Sequence, residues 1–270
     1  MSNILLITSL KEVDILECQY KKRNTSSNNY LLINEYESLI AKRELFYYKG
    51  NENVVFLVKK PNCYRIYYYI NNFNETISLP FNNTYLIEIL FRSKLERIKE
   101  EIEYWQKNGF KINLVRDLLK AKHSDLTLAY HRVDGLVINL AKDIDEIKYA
   151  CTLFNSTFDK YSADYIEVSE YQGLLKKQNI LIAKLNGENA GAMHFRIEHS
   201  VVWGAHLAVD SKFRGKHIGI ELYNHFLNLN KITDNTIYCH WTQHQNKQTM
   251  GMYLKMGFKY TGKSTISLIK

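Results

Sequence analysis

The residue types with the clearest chemical potential lie in residues 207–219, Leu-Ala-Val-Asp-Ser-Lys-Phe-Arg-Gly-Lys-His-Ile-Gly, where glycine and basic side chains follow an apolar stretch. That stretch, residues 201–209, predicts a strand. A helix is predicted after the loop because apolar residues recur there at helical spacing. The apolar stripe of this predicted helix consists of Ile218, Leu222, Phe226 and Leu229.

The chemistry that this loop suits is the binding of an anion such as a diphosphate. The first turn of a helix exposes unpaired backbone N–H groups and the positive end of the helix dipole. Gly215 and Gly219 would let a ligand approach the backbone closely, since glycine has no side chain. Arg214 and Lys216 add positive charge beside the same turn.

A second segment strengthens this interpretation. Asn246 is followed by Tyr253 and then by Gly257-Phe258. Together the two segments resemble the GNAT superfamily of N-acetyltransferases over roughly residues 136–270. The loop is similar to the family's pyrophosphate motif, Arg/Gln-x-x-Gly-x-Gly/Ala, and the second segment to its Asn-x6-Tyr-x3-Gly-Phe helix. One departure is His217, which stands where the motif has its inner glycine.

The resemblance implies acetyl-CoA as acyl donor, held where strand 201–209 splays from strand 236–243. One amide near Leu207, Ala208 and Val209 would stabilise the oxyanion of the thioester carbonyl, and Val209 would pair with the pantetheine arm. The donor-binding residues implied in this way are Leu207, Ala208, Val209, Arg214, Gly215, Lys216, His217, Ile218, Gly219, Ile220 and Asn246. We expect no metal.

Three side chains are candidates for proton transfer. Tyr253 matches the family's tyrosine, which would protonate the leaving thiolate. His206 and His240 lie on the two strands beside the donor and are candidate bases. His240 is preferred because Tyr238, His240 and Thr242 form an unusually polar strand face. A structural position in the core is the alternative for each of these residues.

Composition indicates a globular protein whose excess of positive charge suits an anionic ligand, a mildly basic surface without a ligand being the alternative. The 270 residues are 46% hydrophobic and 24% charged, and the formal net charge is +8. No Lys/Arg cluster is dense enough to argue for nucleic acid, and no apolar run is long enough to span a membrane. The N-terminus does not resemble a signal peptide. The four cysteines lack CxxC spacing, so we expect buried thiols and a cytoplasmic location.

The order of predicted elements after residue 134 is β-α-α-β-β-β-α-β-α-β, which indicates an α/β fold: a GNAT-like mixed, mostly antiparallel sheet flanked by helices. We predict domains at 1–133 and 134–270, the second binding acyl-CoA. The segment Lys107-Asn108-Gly109-Phe110-Lys111 parallels Lys255-Met256-Gly257-Phe258-Lys259. The first half is therefore hypothesised to be a degenerate GNAT-like copy without a phosphate loop, serving packing, homodimerisation or acceptor recognition.

The resulting hypothesis is an acyl-CoA-dependent N-acyltransferase that transfers acetyl to a primary amine of a small metabolite or amino sugar by direct attack. Two alternatives remain open from the sequence. One is a Fem-type aminoacyl transferase that uses aminoacyl-tRNA, and the other is an inactive GNAT-fold binding module, for which His217 is the best support. The acceptor pocket is expected around residues 156–175 and in the N-terminal half.

Overall fold

The computed structural model describes residues 4–80, 82–92, 98–161 and 165–270. The chain divides into two compact units. The N-terminal unit runs to Val115 and includes Lys263–Lys270, and the C-terminal unit is Arg116–Gly262. No described helix is long and apolar enough to cross a bilayer.

The N-terminal unit is a sheet with helices. Its strand order is β1-β3-β4-β5-β6-β13, where β13 (Lys259–Ile269) is the last strand of the chain. Its neighbouring strands are antiparallel except for β5 and β6, which are parallel. The elements are β1 (Ile4–Leu6), α1 (Leu10–Tyr20), β2 (Ser26–Ser27), α2 (Ile33–Ala41), β3 (Leu45–Lys49), β4 (Val54–Lys59), β5 (Tyr64–Ile70), β6 (Tyr85–Arg92) and α3 (Lys99–Lys107).

The C-terminal unit repeats this plan in the strand order β7-β12-β11-β10-β9-β8, with β11 and β12 parallel. The elements are β7 (Lys111–Lys122), β8 (Leu136–Leu140), α4 (Ile144–Thr157), α5 (Tyr171–Lys177), β9 (Ile180–Leu185), β10 (Glu188–Glu198), β11 (Val201–Val209), α6 (Ile218–Leu229), β12 (Ile237–Gln243), α7 (Lys247–Lys255) and β13 (Lys259–Ile269). The predicted order of elements after residue 134 is confirmed, and so is the mixed, mostly antiparallel α/β fold.

Helices cover both faces of the C-terminal sheet. On one face α6 buries Ile218, Leu222 and Phe226 of its predicted apolar stripe, whereas Leu229, the last member of the stripe, is 46% exposed. On the other face α4 buries Ile147, Cys151 and Phe154 against β9, β10 and β11. This packing on both faces is driven by the removal of apolar surface from water, which stabilises the fold by about 25 cal/mol per Å².

Local sequence signals explain several element boundaries. Asp143 begins α4 by accepting hydrogen bonds from the backbone of Asp145 (3.1 Å) and Glu146 (2.9 Å). The β9–β10 hairpin turns at Asn186-Gly187, both with positive φ (51° and 86°), as the Asn-Gly pair predicts.

Two expectations from the sequence were wrong. The apolar pattern of residues 35–46 predicts a helix over that whole range, but α2 ends at Ala41, because Arg43 adopts a positive φ of 58° and Leu45 begins β3. The cysteines are not all buried, since Cys18 on α1 is exposed whereas the other three are buried.

The division between the two units also differs from the predicted domain boundary, which lay between residues 133 and 134. Residues 116–122 of β7 pair with residues 237–243 of β12, which places them in the C-terminal unit. Residues 263–269 of β13 pair with residues 86–92 of β6, which places the end of the chain in the N-terminal unit. Strand pairing of segments distant in sequence, not a linker, therefore sets the division.

Candidate functional site

The strands β11 and β12 part in the middle of the C-terminal sheet. They pair only from Val201–Gly204 to Ile237–His240. Beyond that point β12 stays paired with β7, and β11 stays paired with β10. A gap therefore opens between residues 205–209 of β11 and 241–243 of β12, and we call it the C-terminal wedge. Along this gap, the backbone N–H and C=O groups that β11 and β12 turn toward each other form no hydrogen bonds between the two strands.

A β-bulge coincides with the point of parting. His206 pairs with His194, but Gly204 pairs with Phe195, so Ala205 is an extra residue in β11. A bulge bends its strand and re-aims the side chains that follow. Gly204 faces α6, since a Cβ there would lie 3.9 Å from the Tyr223 ring, whereas His206 stacks on Phe154 of α4.

The hydrogen bonds at the end of β11 show which amides face the C-terminal wedge. The Asp210 N–H donates to Ala190 of the β9–β10 hairpin at 2.9 Å. Because successive N–H groups of a strand point to opposite edges, those of Leu207 and Val209 point into the wedge. The Val209 carbonyl oxygen lies on the same edge of β11 as the Val209 N–H. It accepts a hydrogen bond from Arg214 Nε at 3.3 Å, which is consistent with an edge that does not face β10. The Ala208 amide faces β10, so it differs from the prediction that Ala208 would be among the residues that bind the donor.

The loop after β11 delivers an open helix N-terminus to the same end of the strand. Asp210 accepts from the Lys212 N–H at 3.0 Å and closes a 3₁₀ turn at Ser211–Phe213. Gly215 and His217 then adopt positive φ values of 78° and 60°. These left-handed residues end the loop, and α6 begins at Ile218.

The first turn of α6 carries donors without helical acceptors. The helical bonding begins with the Glu221 N–H donating to His217 O at 3.1 Å. No described side chain caps this end of the helix. The N–H groups of Ile218, Gly219 and Ile220 therefore remain for an external acceptor, and the helix dipole favours a negatively charged one.

His217 does not close the loop. Its exposed ring stacks on His131, with centroids 4.1 Å apart and planes at 15°. The His131 backbone is held by Glu221 Oε1, which accepts from its N–H at 2.6 Å. Apart from its two chain neighbours, no described residue has an atom within 4 Å of the position that a Cβ on Gly215 would occupy. The backbone at Gly215 is therefore open on the side where a side chain would lie.

The side chains of Arg214 and Lys216 are exposed and bring two positive charges to this loop. Arg214 is oriented by its bond to Val209 O, and Lys216 Nζ lies 5.6 Å from the centre of the Phe213 ring. Both charges remain solvated, so their attraction for an anion is screened by salt over about 10 Å at 0.1 M.

Asn246 and Tyr253 belong to α7. Asn246 caps the helix, since its Oδ1 accepts from the Thr249 N–H at 3.1 Å. Tyr253 is 6% exposed and lies in the core against Tyr223, with ring centroids 5.0 Å apart. Burial raises the pKa of Tyr253 above its ordinary value, so the phenol stays protonated throughout the neutral range.

The Gly-Phe pair after α7 has a structural reason. Gly257 has a φ of 94°, and a Cβ there would collide with the carbonyl oxygen of Asp125. Glycine is therefore the residue that fits, and the turn places Phe258 in the core at 2% exposure. This part of the motif holds α7 against the strand that follows rather than contacting a ligand.

His240 lies beside Tyr253 but in the core of the unit. Its ring is 3.8 Å from the centre of the Tyr253 ring and 4.6 Å from that of Phe258. Its Nδ1 is 3.0 Å from Tyr223 Oη. Burial lowers the pKa of His240 to about 3, so the imidazole is neutral and a weak base. The preferred sequence hypothesis, His240 as general base, does not fit this environment.

His206 occupies the opposite face of the sheet from Tyr253. It packs between Phe154 (5.3 Å) and Phe158 (5.0 Å) of the α4 region. It also stacks on His194, with ring centroids 5.8 Å apart and planes at 7°. His194 Nε2 is 3.2 Å from Asn179 Nδ2. The sequence analysis missed His194 and Asn179, because only the bulge brings His194 opposite His206.

The expected acceptor region is partly described. Phe158, at the end of α4, reaches the His206 ring, and Tyr171 begins α5 and packs on the same apolar cluster. Tyr165 is 41% exposed. Residues 162–164 of this region lie outside the described residues.

Comparisons with known proteins agree with this geometry. The family described as an acetyltransferase (GNAT) domain matches residues 176–260, which include β9 to α7 and the whole C-terminal wedge. No curated protein matches the chain in sequence.

Solved structures show the fold over most of the chain. A GCN5-related N-acetyltransferase from Sphaerobacter thermophilus has a TM-score of 0.57 at 11% identity, covering 87% of this chain and 84% of its own. A GNAT-family acetyltransferase from Colwellia psychrerythraea has a TM-score of 0.53 at 14% identity, covering 98% of each chain. A tandem GNAT protein from the clavulanic acid biosynthesis pathway has a TM-score of 0.52 at 9% identity, covering 96% and 87%.

At these identities the structural likenesses concern the fold alone. The family match concerns part of the chain, which carries a GNAT acetyltransferase domain at residues 176–260, within the C-terminal unit.

Proposed function

We propose that the C-terminal unit is an acyl-CoA-dependent N-acyltransferase that transfers acetyl from acetyl-CoA to a primary amine of a small molecule. The observation that carries this proposal is the combination of the C-terminal wedge with the uncapped first turn of α6. The loop that ends β11 leads directly into that turn. An extended ligand with a diphosphate at one end would meet backbone partners along its length.

The fit of the donor rests on groups that this fold leaves unpaired. The N–H groups of Ile218, Gly219 and Ile220 would hold the diphosphate, with Arg214 adding charge. The Val209 N–H would pair with the pantetheine arm as one strand pairs with another. The Leu207 N–H, next along the same edge, would donate to the thioester oxygen and stabilise the negative charge that develops there.

A CoA thioester would supply the acyl group. The amine nitrogen attacks the carbonyl carbon, the new C–N bond forms, and the C–S bond breaks. The proton balance needs an acid for the sulfur and a base for the amine. Tyr253 is the proposed acid, because its buried phenol carries a proton at neutral pH.

His206 is the proposed base in place of His240. It lies on β11 next to Leu207, whose amide faces the C-terminal wedge, and its ring reaches the α4 face where the acceptor region begins. Its partner His194, itself beside Asn179, fixes the ring by stacking. This arrangement gives an imidazole that is positioned by neighbours on two strands.

The test is acetyl-CoA binding by calorimetry, followed by a screen of amines for acetyl-dependent thiol release. Micromolar binding and amine-dependent thiol release are the expected results. Binding without thiol release for any amine would favour an inactive module. Absence of acetyl-CoA binding by the wild type would refute the proposal.

A further inference from the structure

The N-terminal unit contains the same kind of parting strands as the C-terminal unit. Its one parallel pair joins Tyr64–Ile66 of β5 to Tyr85–Ile87 of β6. Beyond these residues β5 continues along β4, and β6 continues along β13. Residues 67–70 and 88–92 thus border a gap that we call the N-terminal wedge. By topology it is the counterpart of the C-terminal wedge, since each lies at the one parallel pair found among the described strands of its unit.

A segment of the unit's own chain occupies the N-terminal wedge. The short strand β2 pairs with β5, Ser26 with Ile70 and Ser27 with Tyr69. Because β4 already pairs with the other edge of β5 as far as Tyr69, β2 lies on the edge that faces the gap. Ser27 Oγ adds a bond to Tyr68 O at 2.7 Å.

Asn28 fills the apex, where β5 and β6 separate. Its Nδ2 donates to Ile66 O at 2.9 Å and to Glu88 O at 3.1 Å, one bond to each strand. Its Oδ1 accepts from the Tyr68 N–H at 2.9 Å. The residue is 8% exposed. One side chain therefore satisfies three backbone groups that the parting of the strands would otherwise leave buried and unpaired.

The next residue secures the segment from the helical side. Asn29 Nδ2 lies 2.6 Å from Tyr36 Oη and 3.2 Å from Tyr69 Oη. Both hydroxyls donate to Glu17 Oε1, at 3.2 Å and 2.8 Å. The segment is thus tied to α1, α2 and the sheet at once, which makes it part of the unit's packing rather than a loose loop.

The described part of the connection between β5 and β6 also has no helix whose N-terminus could bind a diphosphate. In the C-terminal unit the corresponding connection holds α6 and its open N-terminus. In the N-terminal unit the described residues between the strands, 71–80 and 82–84, contain no helix. No helix N-terminus therefore faces the N-terminal wedge from this connection.

We propose that the N-terminal unit is a GNAT-like half whose counterpart of the donor cleft is filled by its own residues Ser26–Asn29. One chain then takes one acyl-CoA, in the C-terminal unit. The occlusion is argued from the N-terminal unit alone, whereas the stoichiometry rests on the proposed function.

Hydrogen exchange of the full-length protein tests the occlusion without any ligand. We expect the Tyr68 amide of the wild type to exchange as slowly as the core amides of β4. Asn28→Ala removes its acceptor and should speed its exchange at least tenfold. Asn74→Ala changes an exposed asparagine of the same unit and should leave that rate unchanged. A Tyr68 amide that exchanges at the rate of an unstructured peptide in the wild type would overturn the proposal.

Acetyl-CoA then tests the stoichiometry. Calorimetry should give one site per chain, and added acetyl-CoA should slow exchange at residues 207–220 but not at 26–29 or 66–70. Two sites per chain, or slowed exchange at 26–29, would overturn the proposal. If no acetyl-CoA binds at all, the proposed function fails, and the ligand-free exchange rates still decide whether the N-terminal wedge is filled.

Discussion

Replacing Gly219 with glutamate places a negative charge in the first turn of α6, where the donor diphosphate is proposed to lie. The fold tolerates a side chain here, because a Cβ would meet only Val209 Cγ2, at 3.4 Å, an ordinary contact. Gly→Glu in a helix also gains roughly 0.5–1 kcal/mol of helix propensity. Acidic residues in the first turn are favoured by the helix dipole. We therefore expect unchanged or slightly raised thermal stability.

The effect on binding follows from charge repulsion. Two unit charges about 5 Å apart interact by about 3 kcal/mol at an effective dielectric constant of ~20. Each 1.4 kcal/mol corresponds to about a tenfold change in affinity, so one phosphate charge alone gives on the order of 100-fold. The loop is solvent-exposed and screened at ~0.1 M salt, which reduces the expectation to at least about 20-fold weaker acetyl-CoA binding.

Calorimetry of Gly219→Glu beside wild type and Leu229→Glu measures this effect. Leu229 is 46% exposed in the last turn of the same helix. At 1.5 Å per residue it lies roughly 15 Å from Gly219, so it adds the same charge beyond reach of the diphosphate. We expect wild-type affinity for Leu229→Glu. If Gly219→Glu folds normally and binds acetyl-CoA within threefold of wild type, the assignment of this helix end to the diphosphate is refuted.

Three further predictions concern Tyr253 and His206, which are proposed for proton transfer, and the buried His240. Tyr253→Phe should keep acetyl-CoA affinity but lower kcat at least about tenfold, and an unchanged kcat would remove the phenol from the mechanism. His206→Gln should lower kcat/KM by about 10²-fold with acetyl-CoA affinity retained, and a wild-type kcat/KM would exclude it as base. Because the pKa of His240 is about 3 when folded and 6.5 ordinarily, the unfolded chain binds a proton below pH 6.5 that the folded chain does not. The unfolding free energy of wild type should therefore fall more steeply than that of His240→Met between pH 6 and pH 4, approaching about 1.4 kcal/mol per pH unit, and parallel curves from urea titrations would contradict this.

Local patterns were sufficient for much of the C-terminal unit. Helical spacing in α4 and α6, the Asn-Gly hairpin and the order of elements depend on interactions between residues close in sequence. The Gly215 loop is likewise local, because turn conformation involves neighbouring backbone groups. These features could be predicted correctly from one sequence.

Other features depend on pairings that no local pattern encodes. Without the bulge, the pairing of Phe195 with Gly204 would continue to place Ala205 opposite His194, so the two histidines would not meet. The bulge coincides with the point where β11 and β12 stop pairing, and His206, beyond it, lies on the α4 face. His240 lies in a strand whose polar face made it the preferred candidate base, yet aromatic rings of α6 and α7 enclose it.

The sequence by itself determined the type of fold, the position of the Gly215 loop after β11 and the place of Tyr253 in α7, since each depends on residues close together in the chain. Only the tertiary structure decided where the units divide, which amides face the C-terminal wedge, and that Asn28 fills its N-terminal counterpart. Those outcomes depend on which distant strands pair and where they part. Backbone hydrogen bonds between segments far apart in the chain leave no periodic signal in the residues that form them.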